Sequence, residues 1–259
     1  MGGSSQWLRN AERRGVSPDV VAEVVERHGI TPRSFEILDK LEEIEDPHGK
    51  SFFLIPPGTG PGAAREAVLM TYVVNAGTDY AKAGTRPGSQ PGTVNDFPDT
   101  PYGAAQVQRI IERQHANGWS YRRDVGFVER NGGRLVTTPN GILMGVAGNR
   151  ILSAFSAQGG TVWGDIFMVN IRCADPAEQL RRIVRSGHAW YADRHGRPFE
   201  SRLALDRVLH HEERHSRQWA AKGRTRMITD YGWELFRENV FRKTNRLEED
   251  AGLSDGGYR

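Results

Sequence analysis

Apolar positions recur at helical spacing over much of the chain. Val20, Val21, Val24 and Val25 follow Ser17-Pro18 and stop at Gly29, which predicts a capped helix with Pro at its first position. Thr31-Pro32 restarts the pattern, and Phe35, Leu38, Leu41 and Ile44 predict a second helix ending near Asp46-Pro47. Residues 51–57 read as a short strand or extended segment and 63–76 as a buried helix. From Ala83 to Gly103 the composition turns to Gly, Pro, Thr and Ser, with Pro87, Pro91, Pro98 and Pro101, the mark of a long loop or linker. Beyond it, 104–117 reads as a helix and 125–136 as two short strands joined at Asn131-Gly132-Gly133. Thr161 to Asn170 is bulky and β-branched, a strand pattern; 174–186 is a basic amphipathic helix and 187–198 a polar loop. Helical spacing returns over 201–221, and Met227, Ile228, Tyr231, Leu235, Val240 and Phe241 suggest further helices running into Asn245 to Ala251.

These elements predict an α+β chain in three parts: a mainly helical N-terminal region over 1–82, a Gly/Pro-rich linker or long loop over 83–103, and a domain over 104–259 with a small antiparallel sheet beside the 201–221 helix. With 259 residues, 37% of them hydrophobic, there is enough apolar material for a folded core. No run approaches the ~18 apolar residues of a membrane span, and no basic-then-apolar leader opens the sequence. The expectation is a soluble protein, cytoplasmic or exported by a route without a Sec-type signal peptide. Charge adds little: 35 Lys+Arg against 32 Asp+Glu leave a formal +3. Arg13-Arg14, Arg122-Arg123 and Arg181-Arg182 are isolated pairs. The two N-terminal helices superficially suggest a DNA-binding helix-turn-helix, but Asp39, Glu42, Glu43 and Glu45 would repel phosphate, so there is no strong nucleic-acid signal.

The chemistry is concentrated in His210 to His215, where His211, Glu212 and His215 spell His-Glu-x-x-His. On a helix, positions i and i+4 share a face, so both imidazoles can bind one metal ion while the carboxylate between them faces its water. A charged surface helix would also meet the pattern. Against that, Val208, His211, Glu212, His215 and Trp219 follow steps of three and four, so the ligands continue a core-facing stripe. Cys173 is the only cysteine, which leaves nitrogen and oxygen donors. Glu248, on a helix face shared with Phe241 and Thr244, is the expected third ligand, with Asp250 as supporting group or replacement. His188, Tyr231 and Tyr258 are the candidate donors to an oxyanion. His210, about 100° around the helix from His211, is expected to be an exposed neighbour.

With these residues in view, the chain resembles the gluzincin branch of the zincin metallopeptidases, in particular compact bacterial forms in which His-Glu-x-x-His is followed by Gln-Trp. Here that pair is Gln218-Trp219, and Asn245-x-x-Glu248-x-x-Ala251 resembles their glutamate-bearing helix. The resemblance covers roughly 159–257 and lacks the Asn-Glu-x-x-Ser-Asp pattern of the best-known members. It implies a zincin-like domain, Zn2+ held by His211, His215 and Glu248, Glu212 as general base, and a peptide or protein substrate, with the 161–170 strand available to pair with it. The alternative is a non-catalytic binding or structural protein on a metal-stabilised scaffold, which needs the histidines but not Glu212.

Overall fold

The structure, a computed structural model, describes residues 2–80, 94–148, 160–241 and 245–258. Helices α1 (Gly3–Arg13) and α2 (Pro18–His28) open the chain, and a 3-10 turn over Pro32–Phe35 runs into the short α3 (Glu36–Asp39). The α2 signals act as read: Ser17 accepts from the Val20 N–H, and Gly29 closes the helix in the left-handed region at φ 62°. Strands β1 (Glu42–Glu45) and β2 (Ser51–Ile55) and helix α4 (Pro61–Asn75) follow. Next come α5 (Ala104–Ala116), α6 (Gly118–Arg130), β3 (Arg134–Thr137), β4 (Leu143–Ala147), β5 (Gly160–Trp163) and β6 (Ile166–Arg172). The chain continues with α7 (Pro176–Ser186), β7 (His188–Ala192), β8 (Pro198–Ala204), α8 (Leu205–Lys222), α9 (Arg224–Phe241) and α10 (Arg246–Ala251).

A mixed sheet in the order β1-β2-β3-β4-β6-β5 organises these elements. All its pairings are antiparallel except β4 with β6. Both faces are covered, which explains why β4 is buried at every position instead of alternating with polar residues. On one face Phe53, Leu135, Leu143, Ile166 and Met168 pack under helices α1 to α6. On the other, Phe52, Val136, Met144, Phe167 and Val169 meet α7 and α8 through Leu180, Ile183, Leu205 and Val208. Among the described residues no helix is long and apolar enough to cross a membrane.

The architecture is mixed α/β, as expected in outline, but several elements differ from the sequence reading. The sheet is not purely antiparallel, and the N-terminal region gives it β1 as well as the strand read at 51–57, which is β2. β2 pairs with β3, so the sheet continues from one side of the expected 83–103 boundary to the other. The expected second helix stops at Asp39 because Glu42–Glu45 joins the β2 ladder, with Ile44 opposite Phe52 and Asp46 closing the turn by accepting from the His48 and Lys50 N–H groups. The expected strand at 125–130 is helix: Tyr121, Val125 and Val128 are buried at helical spacing, and Gly132, at φ 74°, lies in the turn after α6. The 187–198 loop contains a hairpin, β7 with β8, so the metal-motif helix begins at Leu205 and not at Ser201. Within the expected linker, 83–93 lie outside the described residues; the rest packs down, with Phe97 under the Arg214 guanidinium and the Val94 carbonyl accepting from Arg207 at 3.0 Å.

Helix α8 is buried along most of its length and is clamped by ions. Glu213 accepts from Arg109 and Arg217 at 2.6 Å each and from Arg113. Arg113 reaches on to Asp165 at 3.2 Å, and Asp165 also accepts from Asn117, Tyr121 and Ser216. Burial alone would raise the Glu213 carboxyl, but Arg113, Arg109 and Arg217 outweigh it and hold it well below its ordinary 4.5.

Replacing Arg113 by Met should lower unfolding free energy by ~3–5 kcal/mol, because Glu213 and Asp165 stay buried without it. Arg109→Ala should cost less, since its side chain is 28% exposed against 2% for Arg113. The depressed Glu213 carboxyl stabilises the fold above its unfolded value of 4.5, so that contribution should fade as pH falls below it. Urea unfolding at pH 7 and pH 4 checks all three; equal losses for the two arginine variants would refute the clamp.

Candidate metal centre

Helix α8 carries His211, Glu212 and His215 through the second core, flanked by Val208 and Trp219. Trp219 in turn lies between Trp119 and Trp163, with ring centroids 5.4 and 5.5 Å away. The core-facing stripe read from the spacing is therefore real packing. Helix α10 brings Glu248 to the same place: its Oε2 lies 3.2 Å from the Nε2 of both His211 and His215, and the two Nε2 atoms are 3.0 Å apart.

The orientation of each imidazole is fixed from behind. Nδ1 of His211 donates to the Gly252 carbonyl at 2.9 Å. Nδ1 of His215 donates to Gln218 Oε1 at 2.9 Å, and Gln218 donates onward to the Leu247 carbonyl and to Asp250 Oδ2. With the proton on Nδ1 in each ring, both Nε2 lone pairs face the Glu248 carboxylate. Electron-rich atoms this close together need positive charge among them. A proton partly meets the need: burial opposes charging His215, yet Glu248 and Glu212 prevail and push it up to about 9. Burial would raise Glu248, but its bonds to the two histidines hold it well below the ordinary range. A divalent cation suits the set better, since His211, His215 and Glu248 each offer one ligand atom within 4.8 Å of the others.

Glu212 is buried beside this cluster. Burial raises its carboxyl above 4.5, Glu248 adds to the rise, and the two histidines oppose it. It faces two cavities of about 240 and 90 Å3, which share Gly160, His211, Glu212 and Tyr258 in their walls. The Tyr258 hydroxyl bonds Glu248, and burial with the nearby carboxylates raises its pKa far above the usual tyrosine value, keeping it a donor. Gly256 passes so close to His211 that a β-carbon there would come within 2.9 Å of Nε2.

The other sequence candidates sort by position. Asp250 meets Gln218 instead of the cluster. Tyr231 lines the smaller cavity. His188 is held by Glu200 at 2.7 Å in the hairpin and lines neither cavity. His210 is buried, not exposed: it stacks on Tyr80 at 3.6 Å, with Asp255 beyond. The Phe241 side chain and Thr244, invoked for the Glu248 face, lie outside the described residues. Gln218 and Gly252 are not among the candidates named from the sequence. Gln218, one turn after His215, was open to inference; Gly252 gave no local signal. Compared with protein-family models, curated proteins and solved structures, the chain matches none.

Protein reconstituted with zinc should hold about one ion per chain, and His211→Ala or His215→Ala should abolish this. Glu248→Gln should weaken zinc more than Asp250→Asn, and Gln218→Ala should cost ~10–100-fold in affinity by freeing the His215 ring. Competition titration and elemental analysis measure each; the reverse ranking of Glu248 and Asp250 would exchange their roles.

Proposed function

We propose that this chain is a zinc-dependent hydrolase, specifically a metallopeptidase of gluzincin-like zincin type, with His211, His215 and Glu248 holding the metal. The observation that carries the reading is the convergence of those three ligand atoms beside a buried Glu212 that faces an open cavity. The ligand order supports the family resemblance: paired histidines one helical turn apart, then a glutamate from a later helix. Zinc bound there would polarise a carbonyl and lower the pKa of a water molecule toward ~7.

The protein's own groups then have defined tasks. Glu212, its affinity for a proton raised by burial, accepts the proton of the attacking water and carries it to the leaving amine. Tyr258, protonated at neutral pH and lining both cavities, is the hydroxyl best placed to donate to a developing oxyanion. Gln218 and Gly252 hold the two imidazoles in the tautomer that leaves Nε2 free. Strand β5 ends the sheet beside α8 and contributes Gly160 to both cavities, so a substrate over the centre lies next to it.

Glu212→Gln should leave the fold and zinc content nearly intact and reduce peptide hydrolysis by ~100-fold or more. Mass spectrometry of a peptide library incubated with zinc-loaded protein provides the assay. Zinc binding without cleavage by the unmutated protein would favour a non-catalytic metal scaffold; undiminished cleavage by Glu212→Gln would remove Glu212 as base.

A further inference from the structure

We infer that the larger cavity beside His211 and Glu212 receives a large, uncharged apolar side chain, and that the bond acted on lies inside a polypeptide instead of at its end. The inference deepens the metallopeptidase reading and rests on it. The cavity of about 240 Å3 runs from the centre between the sheet, α7 and the β7–β8 hairpin, and Met144, Phe167, Val169, Ile183, Ala189 and Val208 form its apolar walls. An apolar cavity of ~150 Å3 already holds a benzene ring, so this one has room for Phe, Leu or Met. Apart from His211 and Glu212, which belong to the centre, the polar side chains in its wall are engaged or neutral. Trp190 donates its indole N–H to Ser186 at 3.0 Å, and the Tyr191 hydroxyl, buried near Glu212, is pushed up to about 12. Away from those two residues, a charged side chain entering here would give up its water for no opposite charge.

The second observation concerns the chain ends of a substrate. The smaller cavity shares Gly160, His211, Glu212 and Tyr258 with the larger one but is otherwise bounded by different residues, Trp163, Trp219, Met227 and Ile228 among them, so space continues from Glu212 toward both sets of walls. An enzyme that reads a chain terminus needs a fixed charge to meet the free amine or carboxylate. In the walls of both cavities, among the described residues, the ionisable groups other than tyrosine are His211, Glu212, His215 and Glu248, all belonging to the centre itself. Among the described residues no Lys or Arg lines either one.

The test titrates zinc-loaded Glu212→Gln protein with peptides capped at both ends, a single residue X set among glycines, followed by calorimetry or NMR. Peptides with X as Phe or Leu should bind at least about tenfold more tightly than that with Ala, while Asp and Lys gain nothing over Ala. Uncapping either end should not tighten binding. Ala189→Trp, with zinc content as the check on folding, should erase the preference by filling the cavity; the peptide series on protein with Ala189 intact decides the matter if that variant fails to fold. Equal binding of the Phe and Ala peptides up to millimolar concentration, a preference for Asp or Lys, or tighter binding of an uncapped peptide would overturn the inference. Cleavage of the Phe peptide by unmutated protein is read separately: a Phe preference without cleavage supports the pocket and counts against the hydrolase, whereas cleavage without a preference overturns the pocket alone.

Discussion

A charge withdrawn from water costs several kcal/mol unless an opposite charge or a set of strong hydrogen bonds meets it, and helix α8 withdraws Arg207, Glu212 and Glu213 together with two histidines, His210 and His211. Much of the surrounding structure answers that cost. On one flank Arg113, delivered by α5, bridges Glu213 to Asp165, which lies between β5 and β6. On the opposite flank Arg207 meets Asp255 at 3.1 Å, and Asp255 also accepts from the Tyr80 hydroxyl. The helix is thereby tied to the sheet, to α5 and to the chain's last described segment. A buried charge network tolerates little rotation, because turning the helix would leave carboxylates unpaired.

That rigidity is passed to the centre. Asp255 anchors the segment that supplies the Gly252 carbonyl to His211 and carries Tyr258 toward Glu248. Glu248 arrives by a different route, with Gln218 of α8 bonding the Leu247 carbonyl and the Asp250 carboxylate on α10. His211 is thus held on its far side by a segment that folds against α8 from a distance, and His215 by Gln218 of α8 itself, which α10 fixes in turn. The ligand geometry is a property of the tertiary structure, even though the two histidines are four residues apart in sequence.

What the sequence disclosed follows from this distinction. His211, Glu212 and His215 are legible because helical periodicity alone puts them on one face, and Val208 and Trp219 mark that face as buried. Glu248 is legible by chemistry, as a carboxylate on a short helix downstream, but its distance from the histidines is not. The Val125 stretch misleads because a short apolar run fits either period, and the burial of Tyr121 against Asp165 that settles it is a contact between distant residues. The β7–β8 hairpin is hidden for another reason: Asp193 accepts from the His195 and Arg197 N–H groups, building the turn from a side chain in a stretch that otherwise reads as a charged loop. The larger cavity is least legible of all, since its walls come from the sheet, α7, the hairpin, α8 and the segment near Tyr258.

Glu212 and Glu213 show how finely burial divides structural from chemical work. They are adjacent, both buried and about 100° apart around the helix. Glu213 faces the guanidiniums of Arg109, Arg113 and Arg217, which outweigh burial and hold it ionised as part of the clamp. Glu212 faces the cavity, where the histidines oppose the effect of burial without cancelling it, and its carboxyl rises. Exchanging their surroundings would spoil both, since a carboxylate locked to three arginines is a poor base and an unpaired one is a poor anchor. The doubled glutamate between the histidines is therefore two residues in separate settings: one fixes the helix, and the fixed helix presents the other, with its raised proton affinity, beside His211, His215 and Glu248.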